Sequence, residues 1–332
     1  MKNGEKLMFD FNLFPVLQTE NLVLREPAES DAEALFPMAS NEELTRYVEW
    51  DRHTSPEDTG AVIESFVRDY GARSGIVWCV QQREGGETVG MIGLTKLDYK
   101  NNSAEVGYWI GADFWGMGYA SEALEKVLSF GLHALGLERI EAKCVAENPA
   151  SGRVMHKAGM VFEGTRRRGD FIKGRFWDLR IYSALSNEIK APGVIMISYS
   201  GQLFEAARSI RTTVFVEEQS CPYDEEFDGR DSSVEHALAY VCGRPVGCAR
   251  FFVEDGHGVI GRLAVLSEFR GKGVGAALCR ELIGLARTRG VSSIVIHAQT
   301  QAMEFYKKLG FVEYGEKFIE SGVEHIHMRL EL

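Results

Sequence analysis

Hydrophobic and polar positions follow the same order twice along this chain. In the first half, short apolar runs bounded by turn residues predict strands, and apolar residues three or four apart predict helices. The predicted strands of this half lie at 22–25, 76–80, 88–94, 104–110, 139–145, 161–162 and 176–182. Helices are predicted after Asp31, after Ser55 and after Gly118. Short turns join the three strands between 76 and 110, which indicates an antiparallel meander.

The second half repeats this order of elements. Its predicted strands lie at 195–199, 237–241, 246–252, 258–265, 293–297, 311–312 and 325–330. Helices are predicted at 203–214, after Gly275 and at 300–308. Each half is therefore predicted to be α+β, a mixed and mostly antiparallel sheet flanked by helices.

The two halves also match residue by residue. Residues 145–148 align with 296–299, and residues 157–161 align with 308–312, at one constant offset. A repeat of this length is expected to be a whole domain with its own core and site. Because the segment before Gly193 has the composition of a linker, we predict an N-terminal domain at 1–187, a linker at 188–193 and a C-terminal domain at 194–332.

Composition narrows the class of protein. The chain has 332 residues, of which 45% are hydrophobic, enough for two cores, and its net charge of −11 argues against a nucleic-acid surface and favours a cationic substrate. No run is apolar enough to cross a membrane, and residues 1–6 lead into no signal-type segment. The six cysteines are scattered without a C-x-x-C pair. We expect a cytoplasmic protein with reduced thiols, which binds no membrane and whose oligomeric state is open.

A glycine-rich turn opens a helix in each half. The first turn spans Trp115–Ala120 and the second Arg270–Gly275. Such a turn, placed after a strand, offers free backbone N–H groups at the positive end of the helix dipole, which suits a phosphate ester. A single turn of this kind serves packing as often as binding, but its recurrence at the same place in both halves favours a site.

These residues resemble the GCN5-related N-acetyltransferase (GNAT) superfamily, in tandem. Residues 270–275 are similar to its R/Q-x-x-G-x-G/A pyrophosphate motif, and residues 305–311 to its F-Y-x-x-x-G-F segment. Through residues 115–123, the first half resembles the ribosomal-protein alanine acetyltransferases. Through residues 214–219 and 297–299, the second half resembles the ElaA-like acetyltransferases. The resemblance implies an acyl-CoA N-acyltransferase fold in each half, and direct transfer of acetyl from acetyl-CoA to an amine in a ternary complex, without a metal.

The resemblance also implies a place for acetyl-CoA, between two splayed strands of each half. The pyrophosphate would bind the amides of the turn, and the pantetheine arm would pair with a strand end like an added strand. The implied residues of the first half are Trp109, Ile110, Trp115, Gly116, Met117, Gly118, Tyr119, Ala120 and Asn148. Those of the second half are Leu263, Val265, Arg270, Gly271, Lys272, Gly273, Val274, Gly275, Ala276 and Gln299. For Asn148 and Gln299, a purely structural role remains the alternative.

The transfer sets three catalytic tasks: the amine loses a proton, the thioester oxygen receives hydrogen bonds, and the leaving thiolate gains a proton. Tyr306 is predicted to protonate the thiolate, because a phenol stays protonated at neutral pH and the family position faces the sulfur, with a packing role as the alternative. The first half has Met155 there, and Ser151 is the predicted substitute, with a helix N-cap as the alternative. Glu105 is a candidate base acting through water, and the alternative is a solvated or ion-paired group.

Acceptor recognition in the second half is assigned to an acidic run and to nearby histidines. The candidate residues are Glu226, Asp228, His236 and His297, and the alternative is a solvated loop. No ligand spacing predicts zinc. The acceptor is expected to be a small-molecule or protein amine. Two other functions stay open. In the first, one half, with the N-terminal half as the first candidate, has lost its activity and is structural or substrate-binding. In the second, the chain is a non-enzymatic acyl-CoA sensor.

Overall fold

A computed structural model describes Phe9, residues 11–197, Tyr199 and residues 201–332 of the chain. These residues fall into two compact units, Phe9–Lys190 and Ala191–Leu332, which we call the first copy and the second copy. The end of the strand predicted at 195–199 includes Ser198, which lies outside the described residues, as do residues 1–6.

The first copy is built on an eight-stranded sheet. Its strands are β1 (Leu17–Gln18), β2 (Leu22–Arg25), β3 (Ile76–Gln82), β4 (Thr88–Asp98), β5 (Ser103–Ile110), β6 (Arg139–Val145), β7 (Val161–Ile172) and β8 (Arg175–Leu185), in the spatial order β1-β2-β3-β4-β5-β6-β8-β7. Its helices are α1 (Asp31–Ala39), α2 (Glu42–Thr45), α3 (Pro56–Gly71), α4 (Tyr119–Ser129) and α5 (Pro149–Lys157). The predicted elements occur in the predicted order, while β1, α2 and α5 were not predicted.

Two features of this sheet position the candidate site. β3, β4 and β5 form the predicted antiparallel meander. β5 and β6 run parallel and pair over Ser103–Glu105 and Arg139–Glu141. Beyond this pairing the two strands diverge, and residues of both line one cavity.

The second copy repeats this topology with seven strands. These are β9 (Gly193–Ile197), β10 (Glu235–Val241), β11 (Arg244–Glu254), β12 (His257–Val265), β13 (Ser293–Gln299), β14 (Val312–Glu320) and β15 (Val323–Glu331), in the spatial order β9-β10-β11-β12-β13-β15-β14. Its helices are α6 (Gln202–Arg211), α7 (Tyr223–Glu226), α8 (Val274–Thr288) and α9 (Met303–Lys307). Parallel pairing of β12 with β13 covers Gly258–Val259 and Ile294–Val295, so the sheet opens at the same place as in the first copy. Both copies are α+β, as the sequence predicts.

Three predicted helix limits need correction. α8 begins at Val274 rather than after Gly275, because Gly273 already takes the left-handed conformation at its N-cap. The helix predicted at 203–214 passes from α6 into a π-helical segment that ends at Glu218. The helix predicted at 300–308 starts as a 3-10 turn before α9. Each limit depends on backbone geometry that apolar spacing does not encode.

In the part of the chain that the structure describes, no helix is long and apolar enough to cross a membrane. No disulfide joins the six cysteines, all of which lie within the described residues. Four of them, Cys79, Cys144, Cys248 and Cys279, are buried, while Cys242 is exposed.

Candidate functional site

The glycine turn of the first copy is open on its outer side. Gly116 and Gly118 have φ values of 82° and 87°, a left-handed conformation that glycine adopts without strain, and Gly118 is the N-cap of α4. A Cβ at Gly116 would meet no atom within 4 Å, so a ligand can approach the backbone closely. Met117 is exposed in the turn, while Tyr119 and Ala120 form the first turn of the helix. The turn therefore presents unshared helix amides to solvent, as a phosphate requires.

A cation from another helix lies beside this turn. The ammonium nitrogen of Lys157 is 4.0 Å from the point that a Cβ of Gly118 would occupy. Lys157 is the last residue of α5, which contacts α4. The first copy therefore has a positive charge at its turn although the turn itself contains none.

Trp115 and Arg270 make the same hydrogen bond in the two copies. Trp115 donates its indole N–H to the carbonyl oxygen of Ile110 at 2.7 Å, and Arg270 donates Nε–H to that of Val265 at 2.9 Å. In both copies the acceptor is the last residue of the strand that precedes the turn. The side chain at this position ties the turn to the cleft strand, whatever its charge.

The turn of the second copy has the same backbone form. Gly271 and Gly273 have φ values of 74° and 84°, and a Cβ at either position would meet no atom within 4 Å. Val274 and Ala276 belong to the first turn of α8, and a Cβ at Gly275 would lie 3.2 Å from the ring of Phe305. Gly275 therefore allows α8 to pack closely against α9.

The two cations predicted for this turn differ in their surroundings. The guanidinium of Arg270 forms an ion pair with the carboxylate of Glu218. The ammonium nitrogen of Lys272 lies 5.4 Å from the ring centre of Phe269. Part of the positive charge that the sequence predicts here is thus already compensated.

In the first copy, the diverging strands β5 and β6 enclose a cavity of about 520 Å³. The cavity brings together the predicted residues Glu105, Trp109, Asn148 and Ser151, together with Met155. Its remaining walls include apolar side chains of Trp50, Phe66, Val106, Ala142, Ile172 and Leu179. A cavity of this size, with apolar walls on one part and polar and charged side chains on another, is large enough for a small molecule.

Ser151 forms a hydrogen bond that the sequence did not indicate. Its Oγ lies 3.0 Å from the hydroxyl of Tyr108, which is also 3.1 Å from the carbonyl oxygen of Ser151. Burial raises the pKa of the Tyr108 phenol far above its usual range. Asn148 is the N-cap of α5, and its Oδ1 accepts from the backbone N–H of Ser151 at 3.2 Å. The N-cap position is therefore held by Asn148, and Ser151 lies inside the helix with its hydroxyl near Tyr108.

Two ion pairs line the same cavity. Glu105 accepts from the ammonium of Lys96 at 2.8 and 2.7 Å, so it is an ion-paired group. The ammonium of Lys143 bridges Glu49 and Asp170, at 2.7 Å from each. The bridge joins the segment after α2 to β7 across the cavity.

Tyr306 lies on α9, in the core of the second copy. Its side chain is 8% exposed and packs against Phe305 and Phe311, with ring centres 4.8 and 5.8 Å away. Burial, with a smaller effect of Cys279, raises the pKa of the phenol far above its usual range. The hydroxyl is therefore protonated at every pH at which the protein is expected to work.

The cleft strand β12 is bent by a bulge. Arg262 has a φ of 53°, a conformation that costs free energy for a residue with a Cβ, and two residues of β12 stand opposite one of β11 here. The next residue, Leu263, begins the strand end that was predicted to bind the pantetheine arm. Across the cleft, Gln299 donates from Nε2 to Gln219 Oε1 at 2.8 Å. Strain of this kind is typical of functional sites.

The acidic run of the second copy belongs to a buried charge network. Glu226 is 2% exposed, and its carboxylate binds Arg211 at 2.5 Å and Arg262 at 2.8 Å. Burial raises the pKa of Glu226, and the two arginines oppose this effect. The structure therefore does not place Glu226 on an open acceptor surface, nor in a solvated loop.

The other predicted acceptor residues lie in two places. Asp228 binds Arg250 at 2.5 Å, and this guanidinium lowers the pKa of Asp228 far below its usual range. His236 is buried, with Nε2 2.9 Å from the carbonyl oxygen of Asp231. His297 lies apart from this network and is half exposed. Among the described residues, no group of three or more His, Cys, Asp or Glu side chains is placed to hold a metal ion.

Family models match both copies. Residues 21–161 match a model described as acetyltransferase (GNAT) domain, and residues 198–332 match a second model with the same description. YoaA of Bacillus subtilis, described as an N-acetyltransferase, is 39% identical over 171 residues, which are 52% of this chain and 97% of YoaA. YjcF of the same organism, with the same description, is 37% identical over 134 residues, 40% of this chain and 96% of YjcF.

Two solved complexes are similar to about half of the chain. The microcin C7 self-immunity acetyltransferase MccE, with acetyl-CoA and AMP, is 23% identical with a TM-score of 0.47, over 50% of this chain and 93% of MccE. The ribosomal L7/L12 α-N-protein acetyltransferase RimL, with coenzyme A, is 21% identical with a TM-score of 0.48, over 51% of this chain and 97% of RimL.

Proposed function

This chain belongs to the GNAT family of acetyltransferases, and we propose that each of its two copies has a complete site for acetyl transfer. The chain is an N-acetyltransferase that uses acetyl-CoA as its co-substrate. One observation carries the proposal: in both copies a left-handed glycine, Gly118 or Gly273, begins a helix directly after one strand of a diverging parallel pair. The open glycine turn and the diverging strands are the two parts of an acetyl-CoA site, and both copies have both parts.

The open turns fit the pyrophosphate of acetyl-CoA. Their glycines leave room for a ligand at the helix amides, and the helix dipole favours an anion there. Lys157 in the first copy and Lys272 in the second add a positive charge. The ends of β5 and β12 would bind the pantetheine arm through backbone groups. Gln299 and Asn148 hold the segments that follow the cleft strands.

In the first copy, Ser151 would donate the proton that the leaving thiolate needs. With the single O–H of Tyr108 shared between the carbonyl oxygen and Oγ of Ser151, the hydroxyl proton of Ser151 is available to the cavity. The raised pKa of Tyr108 keeps it a donor over the working pH range. Glu105 would accept the amine proton through a water molecule, because its carboxylate is 35% exposed although it also pairs with Lys96.

In the second copy, Tyr306 would take the role of Ser151. A phenol of raised pKa is a weak acid, but a thiolate held in the same apolar surroundings is a stronger base than in water. The Tyr306 hydroxyl can therefore both donate a hydrogen bond to the sulfur and transfer its proton to the thiolate. Leu263, the residue after the strained Arg262, would offer its backbone N–H to the thioester oxygen.

The acceptor is proposed to be a small-molecule or protein amine in the cytoplasm. In the second copy, Asp228 and His297 would contact the acceptor, while the buried Glu226 and His236 act through Arg262 and the rest of the charge network. The overall charge of −11 favours an acceptor that arrives as a cation.

The test is thiol release from acetyl-CoA with a panel of amines: an alanine-first tripeptide, spermidine, glucosamine and phenethylamine. Gly118→Asp and Gly273→Asp place a carboxylate in one turn each and silence one copy at a time. We expect each single variant to keep part of the turnover and the double variant to keep none. No release above acetyl-CoA hydrolysis with any of the four amines would contradict the proposal.

A further inference from the structure

His297 and Glu320 form a hydrogen-bonded pair on the cleft strand of the second copy. His297 Nδ1 lies 3.0 Å from Glu320 Oε2, and the two side chains are 47% and 41% exposed. The neighbours of His297 on β13, Ile296 and Ala298, belong to the core that packs against α8. Because side chains alternate along a strand, the His297 ring lies on the opposite face of the sheet.

Aromatic rings hold the imidazole in one orientation. The ring of His297 is edge-on to His327 and to Phe318, with centres 4.7 and 5.3 Å away. Phe318 and His327 stack on each other at 4.5 Å. The turn that follows Glu320 is fastened by Ser321, whose Oγ donates to a carboxylate oxygen of Glu225 at 2.6 Å. The pair is thus preorganised rather than a chance contact of two mobile side chains.

The pair lies near the other diverging strand. Arg262 of β12 donates to the carbonyl oxygen of Glu225 at 2.8 Å, and the turn after Glu320 contacts the carboxylate of the same Glu225. The charge of Arg262 lowers the pKa of Glu320, an effect that adds to the larger one of His297. The other titratable groups around the pair are His325, which also acts on Glu320, and His327, whose pKa is lowered first by burial. The carboxylates of Glu226 and Asp228 are engaged by arginines, so they are less available to take a proton.

We propose that His297 is the general base of the second copy and that Glu320 is its positioning residue. The assignment rests on the proposed function of this copy and adds the group that deprotonates the acceptor. With Glu320 accepting from Nδ1–H, Nε2 carries the lone pair and is free to accept a proton.

The acceptor ammonium loses two protons during the transfer. Nε2 takes one proton from the acceptor ammonium, and the nitrogen lone pair forms the C–N bond as the C–S bond of the thioester breaks. The thiolate receives a proton from Tyr306. The second proton of the amine returns to Tyr306 through solvent, and the imidazolium releases its proton to bulk water.

The test compares pH profiles in the full chain carrying Gly118→Asp, so that the second copy is measured. His297→Asn should lower kcat with phenethylamine or spermidine by about 10²-fold or more, with the affinity for acetyl-CoA unchanged. Glu320→Gln removes the charge that favours the imidazolium, so the acid limb of kcat/KM should shift to lower pH. Glu320→Asp should restore the acid limb to its position in the parent. Because the amine ionises identically with the variant and the parent, its own ionisation does not affect the difference between their profiles.

His257→Asn is the matched control. His257 bonds Ser293 Oγ at 2.8 Å at the paired end of β12 and β13, so its loss should leave the profile unchanged. A His297→Asn profile that overlays the parent would overturn the proposal. If the parent acetylates no amine, the proposed function fails. NMR titration of the His297 ring then tests separately whether His297 and Glu320 form a pair. A midpoint that Glu320→Gln moves to lower pH supports the pair, and an unmoved midpoint overturns it.

Discussion

The indole N–H of Trp115 donates a 2.7 Å hydrogen bond to the carbonyl oxygen of Ile110, the last residue of the cleft strand in the first copy. Arg270 makes the equivalent bond to Val265 in the second copy. A tryptophan can therefore replace the arginine of the phosphate turn without loosening the turn. The tryptophan lacks the positive charge of the arginine, and Lys157 of α5 places a positive charge beside the turn instead.

Lys157→Met should weaken CoA binding by the first copy about tenfold, the value of one charge-assisted hydrogen bond. Because the lost contact is ionic, the affinity of the variant should also depend less on salt. All five tryptophans lie in the first copy, so tryptophan fluorescence titration at low and high salt reports this site alone. Lys100→Met, an exposed lysine in the turn before β5, is the control. Equal affinities and salt slopes for Lys157→Met and the parent would refute this role.

Tyr306→Phe should lower kcat of the second copy by roughly 10²-fold and leave the affinity for acetyl-CoA nearly unchanged, because the phenol acts on the leaving sulfur. The measurement is steady-state thiol release in the Gly118→Asp background, with calorimetry for the affinity. Tyr240→Phe is a matched control, since Tyr240 is a buried tyrosine of the same copy whose pKa is also raised by burial. An equal loss of binding and turnover would make Tyr306 a packing residue.

Ser151 and Tyr108 should behave as one unit in the first copy. We expect Ser151→Ala to lower kcat about 10²-fold and Tyr108→Phe about tenfold, because Tyr108 acts through Ser151. The double variant should then be no worse than Ser151→Ala alone. A double-mutant cycle in the Gly273→Asp background measures this. Fully additive losses would mean that the two hydroxyls act separately.

Burial lowers the pKa of His236 below its ordinary value of 6.5. As pH falls from 6.5 towards the native pKa, the unfolded chain binds a proton that the folded second copy does not, so stability falls with pH. For one proton the slope approaches about 1.4 kcal/mol per pH unit. His236→Asn should reduce this slope, whatever it costs at neutral pH. Urea unfolding followed by circular dichroism measures it, and a slope equal to that of the parent would contradict the assignment.

The strands and glycine turns were predictable because their signals are local. Short apolar runs located β3 to β6, and Gly118 and Gly273 marked turns whose backbone is left-handed. The partner of Ser151 was not predictable, because Tyr108 lies 43 residues away and meets it only through packing of α5 on the cleft.

Charges were predicted less well than elements. Glu226 stood in an acidic run typical of a surface, yet Arg211 and Arg262 come to it from separate elements and allow its burial. Arg270 was expected to offer its charge to a phosphate, but Glu218 pairs with it from the end of the π-helical segment. The spacing of charged residues along the sequence does not reveal their ion-pair partners, so these partners are known only from the folded chain.

Calorimetric titration of the intact chain with acetyl-CoA tests the central claim, that both copies are working sites, most directly. We predict a stoichiometry near two, reduced to one by Gly118→Asp and to one by Gly273→Asp, with no binding when both are present. A stoichiometry of one in the parent, abolished by one of these substitutions and unchanged by the other, would contradict the claim. The copy whose substitution changes nothing would then bind no acetyl-CoA and would have a structural or acceptor-binding role.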